Sequence, residues 1–145
     1  MYQHVLVPVQ NDLCSHLAAK HAFDLSRLLG SRVSLLQVQV NAREDSPPEQ
    51  SWLDELASHA RTKPQICILS TDLSVPQAIL EFAQAENVDL IVMGTHGHEG
   101  VERLRLGSVA QAVAGSSFIP VQIVPLRLQV PQGFVSKWKQ ALTSP

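Results

Sequence analysis

The chain has 145 residues, of which 45% are hydrophobic and 17% charged, with a net charge of -2. That supports one globular domain burying about two thirds of the surface its unfolded form exposes, with no second domain expected, and is too apolar for a disordered chain. The charge balance leaves no basic face for nucleic acid or an anionic membrane, no run approaches the roughly 18 apolar residues of a membrane span, and Met1-Tyr2-Gln3-His4 leads into a strand instead of a secretory leader, so a cytoplasmic protein is expected.

His4 to Val9 reads as the first strand. From Ser15 to Leu29, apolar residues recur at Leu17, Ala18, Ala22, Leu25, Leu28 and Leu29, the spacing of one helix face, with Asp12 placed to cap it and Gly30 to stop it. Cys14 and Cys67 lack any C-x-x-C neighbour and read as two reduced thiols. Arg32 to Val40 is a second strand through Val33, Leu35, Leu36 and Val38, and Asn41 to Gln50, with Pro47 and Pro48, is a loop. A short helix is expected from Ser51 to Thr62, ended by Pro64, and a third strand from Gln65 to Ser70.

Ser74 to Glu86 repeats the helical spacing through Ile79, Leu80, Phe82 and Ala83, with Ser74 as cap and Pro76 tolerated in the first turn. Val88 to Met93 is short, apolar and partly β-branched, the reading of a strand buried on both faces. After the glycine-rich stretch that follows it, Gly107 to Ala114 forms a fourth helix and Pro120 to Pro125 a fifth strand. Leu126 to Pro145 leaves two readings open: an extension of the edge strand through Leu126, Leu128 and Val130, or an amphipathic helix carrying Phe134, Val135, Trp138 and Leu142. Strands alternating with helices imply a parallel sheet covered on both faces.

The most informative stretch is Met93 to Val109, M-G-T-H-G-H-E-G-V-E-R-L-R-L-G-S-V. Gly94 and Gly97 lie three apart, and after nine residues Gly107-Ser108 opens a helix. A strand thus feeds a glycine-rich loop that feeds a helix start. Glycines let main-chain N–H groups approach an anion, and the unpaired N–H groups of a helix N-terminus favour negative charge. Phosphate is the expected guest, but the loop is not G-x-x-x-x-G-K-[ST] and carries no P-loop lysine.

Gly-x2-Gly-x9-Gly-[Ser/Thr] after a D-L-I-V-M strand resembles the signature of the universal stress protein family. The likeness extends to Val5-Leu-Val-Pro-Val9, Ile79-Leu-Glu-Phe-Ala83 and Ile119-Pro-Val-Gln-Ile-Val124, and so covers most of Met1 to Pro125. It implies an α/β fold, an open five-stranded parallel sheet of order 3-2-1-4-5 with helices on both faces, Rossmann-like and akin to the adenine nucleotide alpha hydrolases. A universal stress protein domain at 1–125 and a C-terminal extension at 126–145 follow from it. It further implies ATP or another adenine nucleotide, with Mg²⁺, as ligand. Base and ribose contacts would fall on Pro8, Val9, Gln10, Val38, Met93 and Gly94, and phosphate contacts on Gly97, His98, Gly107, Ser108 and Val109. The implied function is a sensing or signalling module in stress response.

One departure bears on that expectation. ATP-binding members of the family carry Asp where this chain has Gln10. Losing a charge-assisted hydrogen bond in a buried site costs about 1.5 to 3 kcal/mol, roughly ten- to a hundredfold in affinity. Neighbouring Asp12 is the substitute carboxylate, though it is also the expected helix cap. A nucleotide-free module that binds a protein partner through its C-terminal extension is therefore the alternative.

Other chemistry is weakly supported. His96-x-His98-Glu99 lacks the third and fourth ligands of a closed metal site. No Ser or Cys sits on a G-x-S-x-G elbow, so slow hydrolysis of bound ATP by water is the most that is expected. Val121, Ile123 and Leu126, delimited by Pro120 and Pro125, suit an edge strand that pairs with its mate in a homodimer, as the resemblance implies.

Overall fold

The computed structural model describes residues 2–41, 50–95 and 107–126. The extension from residue 127 onward, and Gly97 and His98 with the rest of 96–106, lie outside the described residues. In chain order come β1 (His4–Pro8), α1 (Leu13–Leu29), β2 (Arg32–Val40), α2 (Ser51–Ala57), β3 (Gln65–Thr71), α3 (Val75–Ala85), β4 (Leu90–Gly94), α4 (Ser108–Ser116) and β5 (Val121–Val124). The strands form a single sheet in the order β3-β2-β1-β4-β5, and every pairing is parallel.

Alternation along the strands divides the core into two layers. Val5, Val7, Val33, Leu35, Leu90 and Val92 pack against Ala18, Ala22 and Phe23 of α1 and Leu53 and Leu56 of α2. Leu6, Leu36, Ile91 and Met93 pack on the opposite face against Ile79 and Ala83 of α3 and Ala110 and Val113 of α4. Val5, Leu6 and Val7 are 0% exposed, as a central strand covered on both faces requires. Each such side chain contributes about 1.5 to 3 kcal/mol by leaving water.

Local chemistry sets the element ends. Asp12 caps α1, its Oδ1 accepting from the Ser15 N–H at 2.7 Å, so the helix begins two residues before the apolar spacing indicates. Gly30 closes it with φ 68°, and Ser74 caps α3 through the Gln77 N–H. The second helix ends at Ala57, short of the expected Thr62: the Ser58 hydroxyl donates to the Glu55 carbonyl, and His59 and Ala60 bond back to Leu56 and Ala57 in tight i to i−3 turns. β4 starts at Leu90, two residues later than expected, because Asn87 takes φ 53° and Asp89 turns its carboxylate onto the N–H groups of Gln3 and His4. That clamp ties the start of β4 to β1. Beside it His4, 2% exposed, has both ring nitrogens engaged, Nδ1 with the Glu86 carbonyl at 3.1 Å and Nε2 with Ser34 Oγ at 2.7 Å.

Candidate functional site

In an open parallel sheet, ligands sit at the carboxyl ends of strands where the winding reverses. Here β1 pairs with β2 on one side and β4 on the other, so the reversal lies between β1 and β4. A cavity of about 450 Å³ opens at that point, walled by the ends of β1, β2 and β4 and the first turns of α1, α3 and α4.

The residues singled out in the sequence converge there. Pro8, Val9 and Gln10 come from the end of β1, Val38 from β2, Met93 and Gly94 from β4, and Gly107, Ser108 and Val109 from the start of α4. Gly97 and His98 lie outside the described residues. The sequence pattern does not assign Leu36, Val75, Ile79, Ser15, Thr95 and Ala110 to this wall, and it offers Asp12 as a helix cap and as a substitute for the missing carboxylate. Val75 and Ile79 lie four apart on α3, which puts them on one helix face, and that spacing was the available signal.

The cavity is chemically polarised. Over β2 and α3 it is apolar, with Leu36, Val38, Val75 and Ile79 facing Met93. The β1–β2 ladder ends with Pro8 opposite Leu36, and the Val9 N–H donates to the Leu36 carbonyl at 2.8 Å. By the alternation of a parallel ladder, the N–H and C=O of Val38 then point to the side that β1 has vacated. At the far end α4 starts with no side-chain cap. Its Ser108, Val109 and Ala110 N–H groups have no intrahelical acceptor, the property that makes a helix start an anion site. Gly107 does not add to them: its N–H donates to the Thr95 carbonyl and its carbonyl accepts from the Gln111 N–H.

Gly94 has a second reason to be glycine. A Cβ there would stand 2.8 Å from the Cys14 carbonyl oxygen and 2.9 Å from Cys14 Cβ, so the end of β4 lies directly against the first turn of α1. That contact fixes the turn at the cavity mouth. The Gln10 N–H donates to Ser15 Oγ at 2.8 Å, and the Asp12 N–H donates to the Gln10 carbonyl at 2.8 Å. Both main-chain groups of Gln10 are thereby used, and its carboxamide remains for a ligand. Gln10 is exposed, so the loss expected from replacing a buried carboxylate is reduced by solvent screening. Asp12 Oδ2 is buried and has no hydrogen-bond partner, whereas Oδ1 is the helix cap.

Behind Gln10 and Asp12 lies a second, polar chamber of about 80 Å³, also lined by Asn11, His16, Trp52, Glu55 and Leu56. The His16 ring meets that of His59 edge to face at 5.4 Å. Burial, then the charge of Lys20 and of His59, lower the His16 pKa below its ordinary value, against a weaker opposing pull from Glu55. Among the described residues no group of three His, Cys, Asp or Glu could hold a metal ion, and no helix is long and apolar enough to cross a membrane.

A family model described as the universal stress protein family matches residues 1–125. Universal stress protein MJ0531 of Methanocaldococcus jannaschii is 33% identical over 140 residues, covering 86% of this chain and 82% of that protein. A universal stress protein solved in complex with cAMP superposes with a TM-score of 0.68 at 20% identity, covering 87% of this chain and 99% of that one. One from Archaeoglobus fulgidus in complex with dAMP gives a TM-score of 0.65 at 21% identity, covering 85% and 97%. At those identities the two structures speak for the fold.

Proposed function

Because this chain belongs to the universal stress protein family, we propose that its 450 Å³ cavity binds an adenine nucleotide and that the protein is a nucleotide sensor in a stress response. The observation that carries the reading is the cavity's polarity, an apolar slot at one end and an uncapped helix start at the other. A base fits the slot between Leu36, Val75, Ile79 and Met93, where the N–H and C=O of Val38 complement the acceptor and donor that adenine presents on one edge. Pro8, Val9 and Gln10 meet the ribose. Ser108, by its hydroxyl and N–H, and Val109, by its N–H, receive phosphate, joined by Gly97 and His98 on the family likeness. Mg²⁺ enters with the polyphosphate as its counterion. The similar proteins solved with cAMP and dAMP support the choice of adenine.

No lysine is among the described residues that line the cavity, and the role proposed is binding, with at most slow hydrolysis of ATP. A cytoplasmic homodimer completes the reading. β5 is the sheet edge, half-buried along its length, and Phe118 beside it is fully exposed, which supports pairing there. Gln10 favours the second reading, a nucleotide-free module that binds a protein through the extension at 126–145. Removing residues 130–145 separates the two: a scaffold loses its partner in a pull-down, whereas a sensor keeps its nucleotide affinity.

The direct test is Gly107→Val, read by calorimetric titration of ATP. A side chain at this wall position intrudes where phosphate is to lie, and a loss of about tenfold or more is expected, equivalent to roughly 1.4 kcal/mol. Unchanged affinity with an intact fold would remove the phosphate end of the site from α4.

A further inference from the structure

The small chamber behind the main cavity is not required by nucleotide binding, yet it shares a wall with it. Gln10 and Asp12 line both spaces. From that wall a continuous set of hydrogen bonds runs into α1: the Gln10 N–H to Ser15 Oγ, the Ser15 N–H to Asp12 Oδ1, and the His16 N–H to the Asp12 carbonyl at 3.1 Å. His16 is thus anchored on the residue that caps the helix at the cavity mouth, and it faces the chamber. The chamber is large enough for an ordered water or two and is lined by polar partners that can hold them.

Resting on the nucleotide-binding reading, we propose that this chamber is a proton-sensing annex of the site, in which protonation of His16 strengthens the binding of nucleotide phosphate. The charged groups around the imidazole come from each element packed against it. Glu55, on α2, favours its cationic form; Lys20, one turn further along α1, and His59, just past α2, oppose it. A cation at His16, in the same chamber as Asp12, offsets the charge of a carboxylate that also lines the main cavity and there repels the incoming phosphate. Bound polyanion in turn holds the proton, since the linkage is reciprocal.

The sign follows from the depressed His16 pKa. Since the pKa lies below 6.5, the ordinary imidazole value, the effect is small at neutral pH and grows as the pH falls further. His16 is only partly buried, so a gain of about two- to fivefold in affinity is the scale expected for one added charge screened by solvent.

Calorimetric titration of ATP from pH 8 to pH 5.5, on the full chain and on His16→Gln, tests this. The terminal phosphate titrates in the same range, near pH 6, and the comparison of the two proteins cancels it. The expected result is a further tightening of about two- to fivefold at low pH in the parent that His16→Gln lacks. A variant-independent readout is the ring resonance of His16 followed by NMR against pH, which should titrate at higher pH with ATP bound. Equal pH profiles in the two proteins, or a His16 titration unmoved by ATP, would overturn the annex while leaving the nucleotide site standing. Absence of ATP binding at every pH would overturn both.

Discussion

Gly94→Ala is the sharpest probe of how the site is built. The added methyl would lie 2.8 to 2.9 Å from the carbonyl oxygen, carbonyl carbon and Cβ of Cys14. Two of those atoms are backbone, so no side-chain rotation relieves the clash, and α1 must move off β4 at its first turn. Overpacking of this kind costs about 1 to 3 kcal/mol, which for a domain of this size lowers Tm by roughly 3 to 10 °C. Gly115→Ala is the matched control. It stands in α4 with nothing within 4 Å of a built Cβ and without a positive φ, so alanine there is expected to stabilise by about 0.5 kcal/mol, the lower side of the glycine penalty in a helix. Because the turn displaced by Gly94→Ala carries Asp12 and Ser15, ATP affinity should fall in that variant and not in the control. Urea and thermal unfolding with calorimetric titration measure both. If Gly94→Ala were as stable as the parent, the close approach of β4 to α1 would be wrong.

Asp12→Ala should cost about 1 kcal/mol of stability through loss of the α1 cap, whereas Asp12→Asn, which still accepts from the Ser15 N–H, should restore most of it; equal losses in urea unfolding would point to a role for the charge instead of the cap. Cys67 is held above the ordinary thiol pKa by burial and then by the Glu86 charge. Its thiolate fraction at pH 8 is therefore depressed, and peptide-resolved alkylation should show a midpoint at higher pH than in the unfolded chain. An unshifted midpoint would show that burial does not reach this thiol.

What the sequence made legible was local or topological. Asp12, Gly30, Ser74 and Pro76 act through their own backbone neighbourhood, and they cap, stop or open helices as their chemistry dictates. Pro120 and Pro125 bracket β5 as expected, since neither can extend a ladder of N–H donors. The meeting of β1, β2, β4 and α4 at one cavity followed from the alternation of elements, the reversal rule and the family likeness, and not from composition. Less legible was anything decided by a tertiary contact. Gly94 reads as a loop glycine for an anion, yet its lack of a Cβ is also required by Cys14, eighty residues earlier in the chain. Gly107 reads as an N–H donor, yet that N–H is taken by Thr95. The end of α2 depended on the Ser58 hydroxyl competing for a main-chain carbonyl, a choice that residue type alone leaves open. The second chamber lies between the start of α1 and α2, and the scattered histidines gave no hint that His16 and His59 meet.

The central claim is that the cavity between β1 and β4 is an adenine-nucleotide site despite Gln10. Freshly purified protein, denatured and analysed for released nucleotide by chromatography with mass detection, then titrated with ATP with and without Mg²⁺, tests it most directly. Co-purified adenine nucleotide, or binding in the micromolar range, is the result predicted. No released nucleotide and no heat of binding at millimolar ATP would contradict it and leave the C-terminal extension as the place to look for function.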